Sequence, residues 1–283
     1  MNNSFTQDTF SIVAVDSVTQ EIGSAGASFV ANVPRSLLND AFNVHPGVGA
    51  IHTQALYNEL NQIYANQLMD FGFSPQEMID SVVSTDSEGD PSVRQYIIID
   101  LVNGGRTAAY TGDSCFDYAN HILGKNYAIA GNTLYGQDVL DSMQSGFQNT
   151  SGSLADKLMA ALQGGKEAGG DKRGELYGLS SLVAAIKVAK SYDSKDSLYL
   201  DLFVAYGTTG WGLLQDPVDS LQILYNKWKG ESTYVIENVH EIPDNYCLYQ
   251  NYPNPFNPTT NIGFEIDKAG TVEITVYDAQ GKE

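Results

Sequence analysis

Two short runs of apolar and small residues near the start of the chain are separated by a polar segment. The runs are Phe10–Val15 and Ile22–Phe29, and the segment between them, 16–21, reads DSVTQE. Two β-favouring runs around such a turn predict a hairpin. A strand pair therefore begins the fold, and Thr9, with its side-chain hydroxyl, is the first residue of that pair.

Helix signals follow the hairpin. Between Tyr57 and Phe71, apolar residues recur at helical spacing, at Leu60, Ile63, Tyr64, Leu68 and Phe71. The sequence 74–77, SPQE, predicts the start of a second helix, with Ser74 as N-cap, Pro75 at the first position and Glu77 closing a capping box. Further helices are predicted over 136–147, over 153–162 with Ser153 as cap, and from Pro217 to Lys229, with Gly230 just past the end.

Strands alternate with these helices. The run 95–102, QYIIIDLV, is almost continuously apolar and predicts a strand buried on both faces. The sequence 103–105, NGG, predicts a turn with positive φ before a partner strand. Further strands are predicted over 50–54, 127–130, 182–188 and 198–204, and 164–174 is interpreted as a glycine-rich, charged loop. The order of elements predicts an α+β fold with a layered sheet.

The charge balance argues against several classes of partner. The chain has 15 Lys and Arg against 34 Asp and Glu, a net charge of −19, which repels phosphate backbones and anionic lipid surfaces. No stretch is apolar enough for a membrane span. Cys115 and Cys247 lie far apart, and no two of the four histidines are spaced as a metal-ligand pair on a helix. We therefore expect no nucleic acid, no transmembrane segment, no metal and no cofactor, and leave a homo-oligomer open.

The end of the chain differs from the rest. Residues 231–247 are interpreted as a linker, and the proline-rich stretch 248–260, LYQNYPNPFNPTT, can be neither a helix nor a central strand. Two alternating strands are predicted at 262–266 and 272–277. They make a partial β-sandwich hairpin, too little to be stable alone.

Blocks spread over some 220 residues carry a resemblance to a known family. They are TFSIVAVD (9–16), GSAGAS (23–28), GVGAIHTQA (47–55), TGDSC (111–115), YAIAGNTL (127–134), GGDKRG (169–174) and DPVDSL (216–221). Together they resemble the bacterial family catalogued as domain of unknown function 1028. The resemblance implies a four-layered αββα sandwich over 9–230, the fold of the N-terminal nucleophile (Ntn) hydrolases.

That resemblance also implies a chemistry, the hydrolysis of a C–N bond in a small-molecule or peptide amide. Thr9 is the candidate nucleophile, with its own α-amine as the general base. Candidate oxyanion donors are the side chain of Asn132 and the backbone N–H groups around Gly47 and Gly49 or at Gly131. The loop residues Asp171, Lys172 and Arg173 are candidates for binding the substrate through their charges.

A rival interpretation is that the chain is a catalytically inactive surface binding module with the Ntn fold. In that case Thr9 is only a β-branched strand residue. If residues 1–8 stay attached, the nitrogen of Thr9 is an amide and cannot act as a base. The preceding Gln7-Asp8 is a poor match for signal peptidase, so autoproteolysis would have to expose Thr9. Four other side chains could also react in principle, but we expect each of them to have a packing role. They are Ser24, Ser28, His52 and Cys115.

A second resemblance concerns 248–283. LYQNYPNPFNPTT, followed by GTVEITVYDAQGKE (270–283), resembles the opening half of the C-terminal sorting domain of the type IX secretion system. This implies a partner, the secretion machinery, and a secreted or cell-surface location. Residues 1–8 contain no apolar core of a signal peptide, so the resemblance implies a sequence trimmed at both ends.

Overall fold

A computed structural model describes residues 9–207 and 215–230, without the side chains of 38 and 39, and the backbone alone of residues 6–7, 247–248 and 264–265. The chain divides into two compact units, Met1–Thr233 and Tyr234–Glu283. The helices are α1 Arg35–Ala41, α2 Glu59–Asp70, α3 Pro75–Ser84, α4 Gln137–Asn149, α5 Leu154–Glu167 and α6 Pro217–Lys229, with 3₁₀ turns at Pro91–Val93, Val102–Gly104 and Lys172–Tyr177. None of these helices combines the length and apolar character needed to cross a bilayer.

The strands of the first unit form two antiparallel sheets. The strands are β1 Thr6–Gln7, β2 Thr9–Asp16, β3 Glu21–Ser28, β4 Phe42–His45, β5 Gly49–Leu56, β6 Arg94–Asp100, β7 Arg106–Thr111, β8 Tyr118–Leu123, β9 Tyr127–Leu134, β10 Val183–Ala189 and β11 Leu200–Ala205. The β2 sheet has the order β11-β10-β3-β2-β9-β8. The β5 sheet has the order β1-β5-β6-β7, with β4 also paired to β5. The fold is therefore mixed α+β, as predicted.

Three apolar clusters show what each sheet face packs against. Alternate residues of β2, Phe10, Ile12 and Ala14, join side chains of α4, α5 and α6. The intervening Val13 and Val15 join side chains of the β5 sheet. The far face of the β5 sheet packs on α2 and α3. Since successive strand residues point to opposite faces, β2 separates a helix-facing side from a sheet-facing side.

Several local predictions are confirmed. The 16–21 segment turns between β2 and β3, which pair from Thr9 with Ser28 to Asp16 with Glu21. All seven residues of β6 are buried, and residues 103–105 all have positive φ. Ser74 and Ser153 both form capping boxes. Asp216 caps α6, and Gly230 ends it in the left-handed conformation.

The predicted loop at 164–174 is wrong in its first part, because α5 continues through Gly164 and Gly165 to Glu167. Glycine is tolerated there because α4 and α5 lie very close together. A Cβ at Gly164 would be 2.3 Å from the Ser142 carbonyl oxygen, and one at Gly146 would be 2.3 Å from the Ala160 carbonyl oxygen. Each glycine thus admits the backbone of the other helix, which outweighs its low helix propensity.

Other elements also differ from the predictions. The mixed segment 31–44 contains a short helix, α1, and strand β4. Strand β8 was not predicted, because its sequence, YANHIL, is half-buried and shows no clear alternation. Helix α2 is present, but most of its predicted apolar stripe faces solvent.

Little of the second unit lies within the described residues. Cys247–Leu248 and Phe264–Glu265 form a short antiparallel pair. The second of these segments falls in the strand predicted at 262–266, but its partner lies at the junction of the predicted linker and tail. The strand predicted at 272–277 lies outside the described residues.

The close contact between α4 and α5 makes Gly164 a test of the packing. We expect Gly164→Ala to lower the free energy of unfolding by about 1–3 kcal/mol, because the added methyl group collides with the Ser142 carbonyl. Glu167→Ala, at an exposed position of the same helix, should change it by less than about 0.5 kcal/mol. Urea denaturation measures both, and equal effects would show that the helices tolerate a Cβ at Gly164.

Candidate functional site

Thr9 lies at the edge of the space between the two sheets. It is the first residue of β2, has no solvent-exposed surface, and pairs with Ser28 of β3. Two residues on, Ser11 Oγ donates a hydrogen bond to Gln54 Oε1 of β5 at 2.6 Å. Because residues two apart on a strand share a face, the side chain of Thr9 also points towards the space between the sheets.

The half of this space nearest Thr9 is polar. Gln54 Nε2 donates to Gln95 Oε1 at 2.6 Å, and Asn132 Nδ2 donates to the same oxygen at 3.0 Å. Gln95 Nε2 in turn donates to the Gly131 carbonyl at 2.9 Å. All three amide side chains are buried. At the opposite half the contacts between the sheets are apolar, so polarity is concentrated at the end where β2 begins.

Asn132 is the polar side chain of β9 closest in register to Thr9. The ladder between β2 and β9 pairs Phe10 with Gly131, so Thr9 and Asn132 are the next residues on the two strands. The amide nitrogen of Asn132 is bonded to Gln95, whereas its buried Oδ1 accepts no hydrogen bond from the described residues. Asn132 therefore presents an unused acceptor at this end of the sheet.

The backbone beside this polar cluster is strained. Thr133, directly after Asn132, has a φ of 56°, and Ala55, directly after Gln54, has a φ of 65°. Such values are rare for residues with a Cβ, most of all for a β-branched one. Buried Thr133 Oγ1 has no partner among the described residues. Strain of this kind clusters at functional sites, where the surroundings enforce it.

The structure brings two of the three predicted charged residues to this end of the β2 sheet. Asp171 is bridged to Leu134 at the end of β9 and is fully buried. It accepts two hydrogen bonds from Arg173, from Nε at 2.9 Å and from an Nη at 2.6 Å. Burial raises the pKa of Asp171, and the guanidinium opposes that rise. Lys172 points outwards, with its Nζ 3.8 Å from Asp117.

Gly47 and Gly49 are not brought to Thr9. Gly47 lies in the turn before β5 with a φ of 71°, near the backbone of Ser191, and Gly49 pairs with Asp100. Their neighbours in the core, including Val15, occupy the far end of β2. Six residues of strand separate Val15 from Thr9, or about 20 Å. The predicted oxyanion donors at these glycines are therefore separated from the predicted nucleophile.

A second buried group lies deeper between the sheets. Ser24 Oγ and His52 Nε2 are 2.6 Å apart, and the ring of His52 packs on Phe42 at 4.4 Å. Burial, and then neighbouring Lys187, lower the pKa of His52 well below its ordinary value, so the imidazole is neutral. Nδ1 of this ring has no partner among the described residues. A catalytic triad needs a carboxylate at that nitrogen, so the pair fits a packing role.

Two candidate features remain, Cys115 and a groove between helices. Cys115 Sγ donates to the Arg94 carbonyl at 3.4 Å. A groove of about 870 Å³ runs between α4, α5 and α6, on the helix side of the β2 sheet, and is lined by polar side chains such as Gln163 and Asn226. The described residues contain no group of three or more metal-ligating side chains.

Comparison with known proteins gives a family. A family model described as "Family of unknown function (DUF1028)" matches residues 9–210. The chain belongs to DUF1028. The matched region begins at Thr9 and includes every strand of both sheets except β1.

A solved structure from this family agrees with the fold. The crystal structure of a DUF1028 protein from Silicibacter pomeroyi matches with a TM-score of 0.62 and 24% identity, over 78% of this chain and 88% of that chain. At this identity the match shows the shared fold alone. None of the curated proteins matches the chain.

Sequence reasoning singled out Thr9 and Asn132 but missed the buried amides of Gln54 and Gln95 beside Asn132. Gln54 and Gln95 each sit in an apolar strand at a position that faces the other sheet. The signal was present, because a glutamine inside a buried strand must find a hydrogen-bond partner. Its partner is a residue distant in sequence, which periodicity along one strand does not reveal.

Lys187 offers a test of burial between the sheets. Its Nζ donates to the Phe42 carbonyl at 2.9 Å, and burial lowers its pKa to about 8. Between pH 8 and the pKa of about 10.4 that lysine has in the unfolded chain, the unfolded chain binds more protons at this residue than the folded protein does. The free energy of unfolding therefore rises with pH in this range. We expect urea denaturation at pH 7 to 10 to show wild type gaining stability relative to Lys187→Met above pH 8. Parallel curves would show that the amine is not desolvated.

Proposed function

We propose that this DUF1028 domain is an Ntn-type hydrolase of a C–N bond, with Thr9 as its nucleophile. The observation that carries the proposal is the position of Thr9. It opens a central strand of the β2 sheet and faces the polar end of the space between two sheets. Helices pack on the outer face of each sheet. This supports assigning the fold to the four-layered αββα arrangement of the Ntn hydrolases.

The proposed reaction requires the removal of residues 1–8. As long as they remain, the nitrogen of Thr9 is a weakly basic amide, and the side chain has no exposed surface. Once they are gone, the free α-amine, with a pKa near 8, takes the proton of Thr9 Oγ. The oxygen then attacks the substrate carbonyl, the amine of the substrate leaves with a proton, and water hydrolyses the resulting ester.

Asn132 has a different role in this proposal from the one expected from the sequence. Its Nδ2 already donates to Gln95, whereas its buried Oδ1 is an acceptor without a partner among the described residues. An acceptor next to the start of β2 suits an N–H donor better than an oxyanion. We therefore assign Asn132 to orienting the α-amine of Thr9. The buried carboxylate of Asp171 holds Arg173 in the neighbouring loop, and we assign the Arg173 guanidinium to contact with an anionic group of the substrate.

One observation favours the rival function, a catalytically inactive binding module. Thr6 and Gln7 form β1, which pairs with Leu56 and Ala55 at the edge of the β5 sheet. A segment held by strand pairing can remain in place, and the nucleophile then stays blocked. The two functions differ in whether release of this segment produces activity.

The Thr9 proposal is tested by exposing that residue. We replace residues 1–8 with a tag that a site-specific protease removes to leave Thr9 first, and assay a panel of small amides and peptides. Activity should appear only after cleavage, be lost at least 10³-fold in Thr9→Ala, and persist in part in Thr9→Ser. Activity that survives Thr9→Ala would refute the proposed mechanism.

Two controls sharpen this experiment. Thr19→Ala removes an exposed hydroxyl from the turn after β2 and should leave turnover unchanged. Asn132→Asp should move the acidic limb of the pH–rate profile to higher pH, because a carboxylate beside the α-amine raises its pKa. An unshifted profile in a folded, active variant would argue against the role given to Asn132.

We also propose that 248–283 is the beginning of a type IX sorting domain and that the protein is secreted. The support is the sequence LYQNYPNPFNPTT and, within it, Leu248, which pairs with Phe264 in the short ladder of the second unit. The hypothesis concerns the fate of the tail, because sorting domains are removed at the cell surface.

Fractionation of the native host tests this second proposal. The protein should be found in the medium or at the cell surface, and mass spectrometry should detect peptides before residue 231 but none from 248–283. Protein confined to the cell interior with its tail intact would refute it.

A further inference from the structure

Helix α2 carries a row of large apolar side chains on its solvent-exposed face. Leu60 is 65% exposed, Ile63 46%, Tyr64 36% and Phe71 79%. With exposed Gln67, these residues follow the spacing i, i+3, i+4, i+7 and i+11, which is one continuous face of a helix. Apolar residues at this spacing ordinarily form the buried face of a helix, but here the face that they form is exposed to solvent.

The opposite face of α2 packs on the β5 sheet through Ala65, Leu68 and Met69, and hydrogen bonds hold it there as well. Asn61 donates to Asp86 at 2.6 Å and to Tyr96 at 3.0 Å. Thr53 of β5 donates to Gln62 at 2.6 Å. The helix is therefore attached to the β5 sheet by both apolar packing and buried hydrogen bonds, and the outward apolar stripe is not needed for this attachment. A solvated helix does not need such a stripe, so we expect another surface to cover it.

The charges around the stripe allow a second copy of the chain and argue against a cationic partner. Two copies with a net charge of −19 each repel one another, so they can associate only through a surface that has no like charges. The stripe contains no charged residue. Glu59 lies at one end of the helix, and Asp70, at the other, is already paired with Lys195 at 2.9 Å. A cationic partner would need acidic side chains within the stripe, and there are none.

The size of the patch also fits a dimer. With Phe73, 42% exposed just beyond the helix, the apolar side chains present on the order of 500 Å². A stable interface buries about 800 Å² per partner, and in homodimers about 65% of that area is apolar. The apolar area of the patch therefore agrees with the apolar area that one partner buries in such an interface. The patch also lies at the upper end of what soluble monomers expose.

We propose that the protein is a homodimer in which α2 packs against α2 of a second copy across a two-fold axis. In this arrangement the two helices are antiparallel, and each stripe covers the other. Residues near the middle of the stripe, such as Gln67, then lie close to the same residue of the other copy. The inference is independent of the chemistry at Thr9.

Mass measurement and a matched pair of substitutions test the dimer. Light scattering on the full chain at micromolar concentrations should give twice the 30.7 kDa of one chain. Leu60→Glu and Phe71→Glu should each weaken the dimer roughly 30-fold or more. Val18→Glu, at a 90% exposed residue of the β2–β3 turn, should leave it unchanged. Circular dichroism checks that each variant is folded.

Cross-linking identifies the face. Under mild oxidation, Gln67→Cys should form a covalent dimer on a non-reducing gel, whereas Gln76→Cys, at an exposed position of α3, should not. A wild type of single-chain mass, whether its stripe stays bare or is covered by another part of the same chain, overturns the proposal. A dimer that withstands both glutamate substitutions overturns it as well.

Discussion

The buried amide of Gln95 joins the two sheets, and the arrangement of the candidate site depends on it. Its Oε1 accepts from Gln54 of its own sheet and from Asn132 of the other. Its Nε2 donates to the Gly131 carbonyl across the same gap. A buried amide that loses such partners costs several kcal/mol, so this contact holds the sheets in one relative position. Apolar packing at the other half of the gap has no comparable directionality.

The fixed position of the sheets determines what Thr9 can do. The pairing of β2 with β9 sets Thr9 beside Asn132, and the position of the other sheet brings Gln95 to Asn132, near the strained backbone of Ala55 and Thr133. A preorganised site of this kind loses little free energy to rearrangement when it reacts. In the proposed mechanism, the strand pairing of Thr6 and Gln7 keeps the intact chain in a blocked form. Within the proposal, one chain thus contains both the site and its cover.

How far the sequence predicts this structure depends on the range of the contacts involved. The β2–β3 hairpin, the capping boxes at Ser74 and Ser153 and the end of α6 at Gly230 were predictable, because each depends on residues a few positions apart. The helical course of Gly164 was not, because its cause is a carbonyl of α4. The outward stripe of α2 was not either, because periodicity shows that a helix has an apolar face but not which way it turns. Resemblance supplied Thr9, and only the packing of the two sheets shows that Gln95 lies beside Asn132.

The central claim is that the mature protein begins at Thr9. The most direct measurement is N-terminal sequencing, with intact mass, of the protein recovered from its native host. The account predicts a free threonine followed by Phe10 and Ser11, with no residue of 1–8 attached. A mature chain that begins upstream of Thr9 would leave that nitrogen in a peptide bond, and it would contradict the proposed mechanism.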